Sequence, residues 1–152
     1  MAVLPIITGA ETPVLRSKTV PVPKVTKEIR KLIKDMYETV HAAEGGGLAA
    51  PQIGITHRLC LAAINGRIIP LINPEILVKS NATDTMQEGC LSLPGLWIDV
   101  PRAKEIHLTY KDENGKRQER KLTGWDARVV QHEVDHLDGV LIVDYQLGEK
   151  RG

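Results

Sequence analysis

The run Gln131-His132-Glu133-Val134-Asp135-His136 constrains this chain more than any other segment. It contains His-Glu-x-x-His, and on an α-helix residues i and i+4 lie one above the other on one face. Both imidazoles can then reach one ion, while Glu133, one step round, can reach a water on that ion without being a ligand. So short a pattern also arises by chance. Here Val130, Val134 and Leu137 give the segment an apolar side, so a packed helix is expected over 125–137, with Gly139 closing it. The fold must therefore set a late helix against a core and bring a further donor to it. Catalytic sites of this kind use about three protein ligands and keep one position open.

Downstream of His136 the candidate donors are Asp138, Asp144, Glu149 and the C-terminus. Asp138 is too close on the same helix to turn back, and Asp144 directly continues an expected last strand at Val140–Val143. The third ligand should come from upstream. Glu88-Gly89-Cys90-Leu91-Ser92 is the best candidate, because Gly89 and the following Pro94-Gly95 imply a special loop backbone of the kind that displays functional groups. Cys90 can bind as thiolate, a soft ligand suited to a transition metal. Cys60, between Leu59 and Leu61, reads instead as a small buried hydrophobe. His41, His57 and His107 are isolated and read as structural or surface residues.

The rest of the chain frames this helix. At 152 residues it is expected to be a single domain, 1–152, with a core of its own. Phe is absent and aromatics are 3%, so Ile, Leu, Val, Ala and Met must fill that core, and stacking platforms for nucleic acid are not expected. Net charge is +1 with both signs interspersed, which argues against a polyanionic partner. The N-terminus lacks the pattern of a signal peptide, no apolar stretch approaches a membrane span, and two cysteines need not pair. An intracellular, reducing compartment follows as the expectation.

Residues 7–24, with Pro13, Pro21 and Pro23, read as irregular chain wrapped on the body. From Thr26, an expected N-cap, the spacing of Ile29, Leu32, Ile33, Met36, Tyr37 and Val40 predicts an amphipathic helix that Gly45-Gly46-Gly47 ends. Strands are expected at Leu59–Ile64, Ile68–Ile72 and Ile76–Val78, punctuated by Gly66 and Pro74. Ile106–Tyr110 and Arg117–Leu122 should form a hairpin through a two-residue Asn114-Gly115 turn. The class is α+β: mainly antiparallel strands packed around a late metal-binding helix, with one earlier amphipathic helix.

Gly45-Gly46-Gly47-Leu48-Ala49-Ala50-Pro51-Gln52 fails as a phosphate cradle, lacking both the Lys-Ser/Thr ending of a P-loop and the dinucleotide spacing. Glycines that admit a substrate close to the backbone, followed by an amide donor for a developing oxyanion, fit it better. Together, Gly45–Gln52, Glu88–Ser92 and Gln131–Leu137 resemble, in order, the three signature motifs of the peptide deformylases. The resemblance runs from Pro13-Val14-Leu15-Arg16 through Val100-Pro101-Arg102 to Gly139.

That resemblance implies removal of the formyl group from the initiator methionine of new polypeptides. It makes Cys90, His132 and His136 metal ligands and Glu133 the general acid/base. The Gln52 side-chain amide and the Leu91 backbone N–H become oxyanion donors, and Gly47 binds the amine side of the substrate. One divalent transition metal is implied, Fe2+ natively, with Zn2+, Ni2+ or Co2+ accepted. Gly46, Met86, Gly89, Trp125, Arg128 and Val129 fall near the methionine pocket. Gly46 stands where the family usually has a branched aliphatic or other apolar residue, so one wall is expected to be thinner or more mobile. Trp125 and Arg128 look closer to a branch that includes organellar forms, and they either enter the pocket or respectively pack and face solvent. Glu88 and Arg102 are expected to pair and brace the cysteine loop.

Formyl-Met N-termini of nascent chains are the expected partner. The ribosome is a further candidate, although the short stretch after Gly139 leaves no room for a long C-terminal docking helix. No membrane and no specific nucleic acid are expected, and the location is cytoplasmic with an organellar origin left open. Two other classes are weighed beside this one: a metallopeptidase using the same helix, and a catalytically silent metal-binding relative.

Overall fold

The computed structural model describes residues 2–146. Helix α1 (Lys27–Ala42) is followed by strands β1 (Gly47–Ala49), β2 (Leu59–Ile64), β3 (Arg67–Lys79), β4 (Thr83–Cys90), β5 (Leu93–Ala103), β6 (Glu105–Lys111) and β7 (Arg117–Thr123), then helix α2 (Gly124–Leu137). Short 3-10 turns occupy Pro13–Arg16, Ala50–Ile53 and Ile142–Tyr145. The strands form one antiparallel sheet in the order β1-β2-β3-β6-β7 and a separate antiparallel ribbon, β4-β5. The expected α+β class, its two helices and its antiparallel strands are all present. No described helix is long and apolar enough to cross a membrane.

Strand β2 is apolar throughout because both of its faces are covered. Leu59 and Leu61 join Ile29, Ile33, Met36 and Val40 of α1 in one core cluster. Cys60, Ala62 and Ile64, pointing the other way, join Ala127, Val130, Val134 and Leu137 of α2 in another. Cys60 is thus the buried hydrophobe expected, its thiol pushed well above the usual value by burial. A third cluster, with Leu15, Leu93, Ile98, Val100, Leu141 and Ile142, seats the β4-β5 ribbon between the N-terminal segment and the chain after α2.

Helix α1 begins where expected: the Thr26 side chain accepts the Ile29 N–H at 3.2 Å. Four expectations need correction. Ile68–Ile72 and Ile76–Val78 belong to one strand, β3, because Pro74 sits at a register shift; Asn73 takes the left-handed conformation there and holds Val22 through both its amide atoms. Asn114-Gly115 is not a two-residue turn. The Asp112 carboxylate captures the N–H groups of Asn114 and Lys116, making a wider loop. The two-residue Asn-Gly turn is at Asn65-Gly66, both at positive φ, joining Ile64 to its partner Arg67. The expected strand at Val140–Val143 is instead the 3-10 turn Ile142–Tyr145, started by Asp144 Oδ2 accepting the Leu141 N–H at 3.0 Å. Finally, Cys90 is not in a free loop; it ends strand β4, and Leu91-Ser92 turns the chain into β5.

Gly139 closes α2 with φ +76, and a Cβ there would lie 2.5 Å from the Arg16 carbonyl oxygen. The turn after the helix therefore docks tightly on the N-terminal segment, where Arg16 pairs with Asp144 at 2.7 Å.

Candidate metal centre

Helix α2 presents His132 and His136 one turn apart, ring centroids 5.0 Å from each other. The end of β4 brings Cys90 to them, its Sγ 3.3 Å from His136 Nε2. One ligand atom from each of the three residues lies within 4.8 Å of the other two. Tetrahedral ligation, with bonds of about 2.3 Å to sulfur and about 2.0 Å to nitrogen, separates donor atoms by about 3.5 Å. A thiolate and two imidazoles at this spacing fit a transition metal. Asp138 points elsewhere, pairing with Arg58 at 2.8 Å, and Asp144 pairs with Arg16. Glu149 lies outside the described residues.

Glu88 sets the geometry of His132. Its Oε1 receives His132 Nδ1 at 2.9 Å, which leaves Nε2 for the centre. The expected bracing pair forms in two-pronged fashion: Arg102 donates Nε to Glu88 Oε2 at 2.8 Å and Nη2 to Oε1 at 2.9 Å. Burial opposes the charge on Glu88, but the Arg102 and His132 hydrogen bonds outweigh it and hold the carboxyl well below its usual range. Arg102 also donates to Asp135 Oδ2 at 2.7 Å, and the Tyr145 hydroxyl donates to the same oxygen at 2.7 Å.

Glu133 is fully inside, and its Oε1 has no hydrogen-bond partner among the described residues. Burial pushes its carboxyl up to about 7. Gly47 faces it: a Cβ at Gly47 would lie 2.5 Å from Glu133 Oε2 and 2.8 Å from the Leu61 carbonyl oxygen. Only glycine fits at this contact between β1 and α2. Gln52 is buried with its amide orientation settled. Oε1 accepts the Ala49 N–H at 2.9 Å, so Nε2 is directed to Ser92 Oγ at 3.0 Å and toward Cys90 Sγ at 3.9 Å.

A cleft of about 480 Å³ opens beside the centre, lined by Gly46, Gly47, Gln52, Gly89, Cys90, Leu91, Trp125, Arg128, Val129, His132 and Glu133. Met86 is exposed on β4 and does not line it. Around an added Cβ at Gly46 nothing lies within 4 Å. Trp125 is 60% exposed and does not merely pack. Arg128 is 3% exposed and does not face solvent: its head turns away to Glu88, Val100 and Asp84. The sequence reading assigned nothing to Trp97, whose ring lies on Gly89, to Ser92, which tethers Gln52, or to Asp84. Ser92 was within reach as the last member of its motif; Trp97 and Asp84 carry no local signal.

The family model described as polypeptide deformylase matches residues 4–151. A peptide deformylase of Pseudothermotoga lettingae is 46% identical over 132 residues, covering 87% of this chain and 77% of the relative. That of Thermotoga maritima is 43% identical over 132 residues, covering 87% and 80%. The crystal structure of the Thermotoga maritima peptide deformylase superposes with a TM-score of 0.91 at 40% identity, covering 95% of this chain and 97% of that one. The Ehrlichia chaffeensis peptide deformylase in complex with actinonin gives 0.92 at 38% identity, covering 95% and 89%.

Proposed function

Since the chain belongs to the polypeptide deformylase family and removes the N-formyl group from newly made polypeptides, we propose which of its residues do so. Cys90, His132 and His136 hold the metal, and Glu133, Gln52 and Leu91 act on the substrate. The observation that carries this is the convergence of the three ligand atoms within 4.8 Å beside a Glu133 oxygen that has no partner among the described residues, at the wall of the cleft. When bound, the metal supplies Lewis-acid polarisation of the formyl carbonyl and acidifies water that reaches it. We propose Fe2+ as the native ion, with Zn2+, Ni2+ or Co2+ able to replace it, since a mixed sulfur and imidazole set accepts each of them.

Glu133 takes the proton from the attacking water and passes it to the departing amine nitrogen. Its burial suits the task, because a carboxyl poised near neutrality both accepts and returns a proton. As water adds to the formyl carbon, negative charge grows on the formyl oxygen. The Gln52 Nε2–H group and the Leu91 backbone N–H meet that charge. Ala49 and Ser92 hold the Gln52 amide in place beforehand, so it need not reorganise during the step. Gly47 lets the amine side of the substrate approach β1 closely, and Gly46, Gly89, Trp125 and Val129 surround the methionine side chain.

Formyl-Met N-termini of nascent chains are the substrate. Encounter with them at the ribosome and a cytoplasmic location, or an organellar one, belong to the same proposal; cosedimentation with translating ribosomes tests the former.

The deciding experiment is formate release from formyl-Met peptides, with acetyl-Met peptides as the control and metal analysis alongside. Purification is anaerobic, because oxidation of Cys90 or Fe2+ disguises an active enzyme as a dead one. Formyl-specific turnover is expected, and Glu133→Ala should keep the metal while losing turnover. Wild-type-like activity in that variant overturns the residue assignment, and cleavage of internal peptide bonds in formyl-Met and acetyl-Met peptides alike points to a peptidase instead.

A further inference from the structure

The ribbon that delivers Cys90 is a sheet of its own, and side chains fasten it to the helix that carries both histidines. Gln131 grips Ala103 at the far end of β5 through both amide atoms, and Arg102 reaches across to Asp135. Arg128 works from the helix side. From α2, one turn before His132, its guanidinium touches both strands of the ribbon at once. Nη1 donates to Glu88 Oε2 at 2.6 Å and to the Val100 carbonyl oxygen at 2.9 Å. Nη2 donates to the Asp84 carbonyl oxygen at 2.9 Å and to Asp84 Oδ1 at 2.8 Å. Asp84 and Glu88 lie on β4 and Val100 on β5.

We propose that Arg128 is a positioning residue: a crossbar that clamps the β4-β5 ribbon onto α2 and thereby sets where Cys90 stands relative to His132 and His136. The inference rests on the ligand assignment made above. Three features support it. The guanidinium is buried, so each of its four contacts replaces water and would be costly to leave unmade. The Glu88 carboxylate is saturated by four donors, two from Arg102, one from His132 and one from Arg128. Losing Arg128 therefore disturbs the group that orients His132. Lastly, the planar fork of Arg spans partners that the point charge of Lys cannot span together.

The competing role is direct contact with the methionine side chain, since the same residue lines the cleft. The two roles separate by what a substitution changes. A wall residue alters KM and side-chain selectivity; a crossbar alters metal retention and kcat.

The test uses the full chain as wild type, Arg128→Lys, Arg128→Met and Asp84→Ala, each loaded with Co2+. Four quantities are measured: the thiolate-to-cobalt charge-transfer band, the rate of metal transfer to a competing chelator, amide exchange across β4 and β5, and kcat and KM with a formyl-Met peptide. Both Arg128 variants should release metal about 10- to 100-fold faster than wild type, the usual consequence of losing a group that orients ligands. Their charge-transfer band should shift or weaken, exchange at β4 and β5 should quicken, and kcat should fall with KM nearly unchanged. Asp84→Ala removes one half-exposed partner and leaves every ligand in place, so it should move all readouts the same way by less. If Arg128→Met does not fold, Arg128→Lys and Asp84→Ala decide. A wild-type band and wild-type metal release in Arg128→Lys, or effects confined to KM and selectivity, overturn the clamp. A wild-type enzyme without any thiolate band sinks the ligand assignment first, and the clamp with it.

Discussion

The three consecutive glycines of the Gly45–Gln52 segment are chemically identical and physically different. At Gly47 a side chain would strike Glu133 and the β2 backbone, at Gly45 it would press on Leu91 and Val40, and at Gly46 it would meet open space. Gly47→Ala is therefore expected to cut kcat/KM by about 100-fold or more, since a displacement near 1 Å in the reacting geometry has that cost. Gly46→Val should fold normally and narrow the cleft, changing KM for formyl-Met peptides and the tolerance for other first residues. Steady-state kinetics on the two variants check both. If Gly46→Val is the more damaging, this account of the loop is wrong. The run was legible as unusual, and it reads as a surface that a substrate approaches closely. Which glycine is indispensable was not legible, because the atoms that forbid a side chain belong to Leu61 and Glu133, distant in the chain.

At the scale of elements, legibility follows how much of an element's burial is one-sided and periodic. Helix α1 shows an apolar face and a capping threonine, and both were readable. Strands β4 and β5 were not, since Thr83-Asp84-Thr85-Met86-Gln87 is mostly exposed and its inward contacts are polar. The hairpin after β6 failed for another reason: an Asp side chain two residues before the Asn-Gly pair outcompeted the turn that the pair favours. Helix α1 also carries a pH-dependent contact. The Asp35 carboxylate accepts from Lys31 Nζ at 2.9 Å and from the Ala2 N–H at 2.9 Å, and the Lys31 bond leads in holding it below the usual range against burial. A folded value below the unfolded one stabilises above the ordinary carboxylate range, about pH 4, and that stabilisation is lost as pH falls through the lower folded value. Asp35→Asn should thus lower Tm at neutral pH, with the gap to wild type closing on acidification below the ordinary carboxylate range. A gap that widens in acid contradicts the assignment.

For the whole molecule, the three residues that meet at the centre and the carboxylate proposed as general acid/base were legible because each sits in a short motif. The network that holds them was legible only in its Glu88–Arg102 pair. Arg128, Asp84, Asp135 and Tyr145 enter it from β4, α2 and the turn after α2, and no local spacing announces such a meeting. The two indoles have a consequence of a different kind. Trp97, 66% exposed over Gly89, and Trp125, in the first turn of α2, are the only tryptophans in the chain, and both border the cleft. Indole-selective excitation therefore lights this one region and leaves the rest of the protein dark. Binding of a formyl-Met peptide to the Glu133→Ala protein should move the emission to shorter wavelengths as water leaves the rings, and an unchanged spectrum at saturation would mean that the bound peptide covers neither of them. The molecule carries its own optical probe of occupancy, which needs neither turnover nor a label.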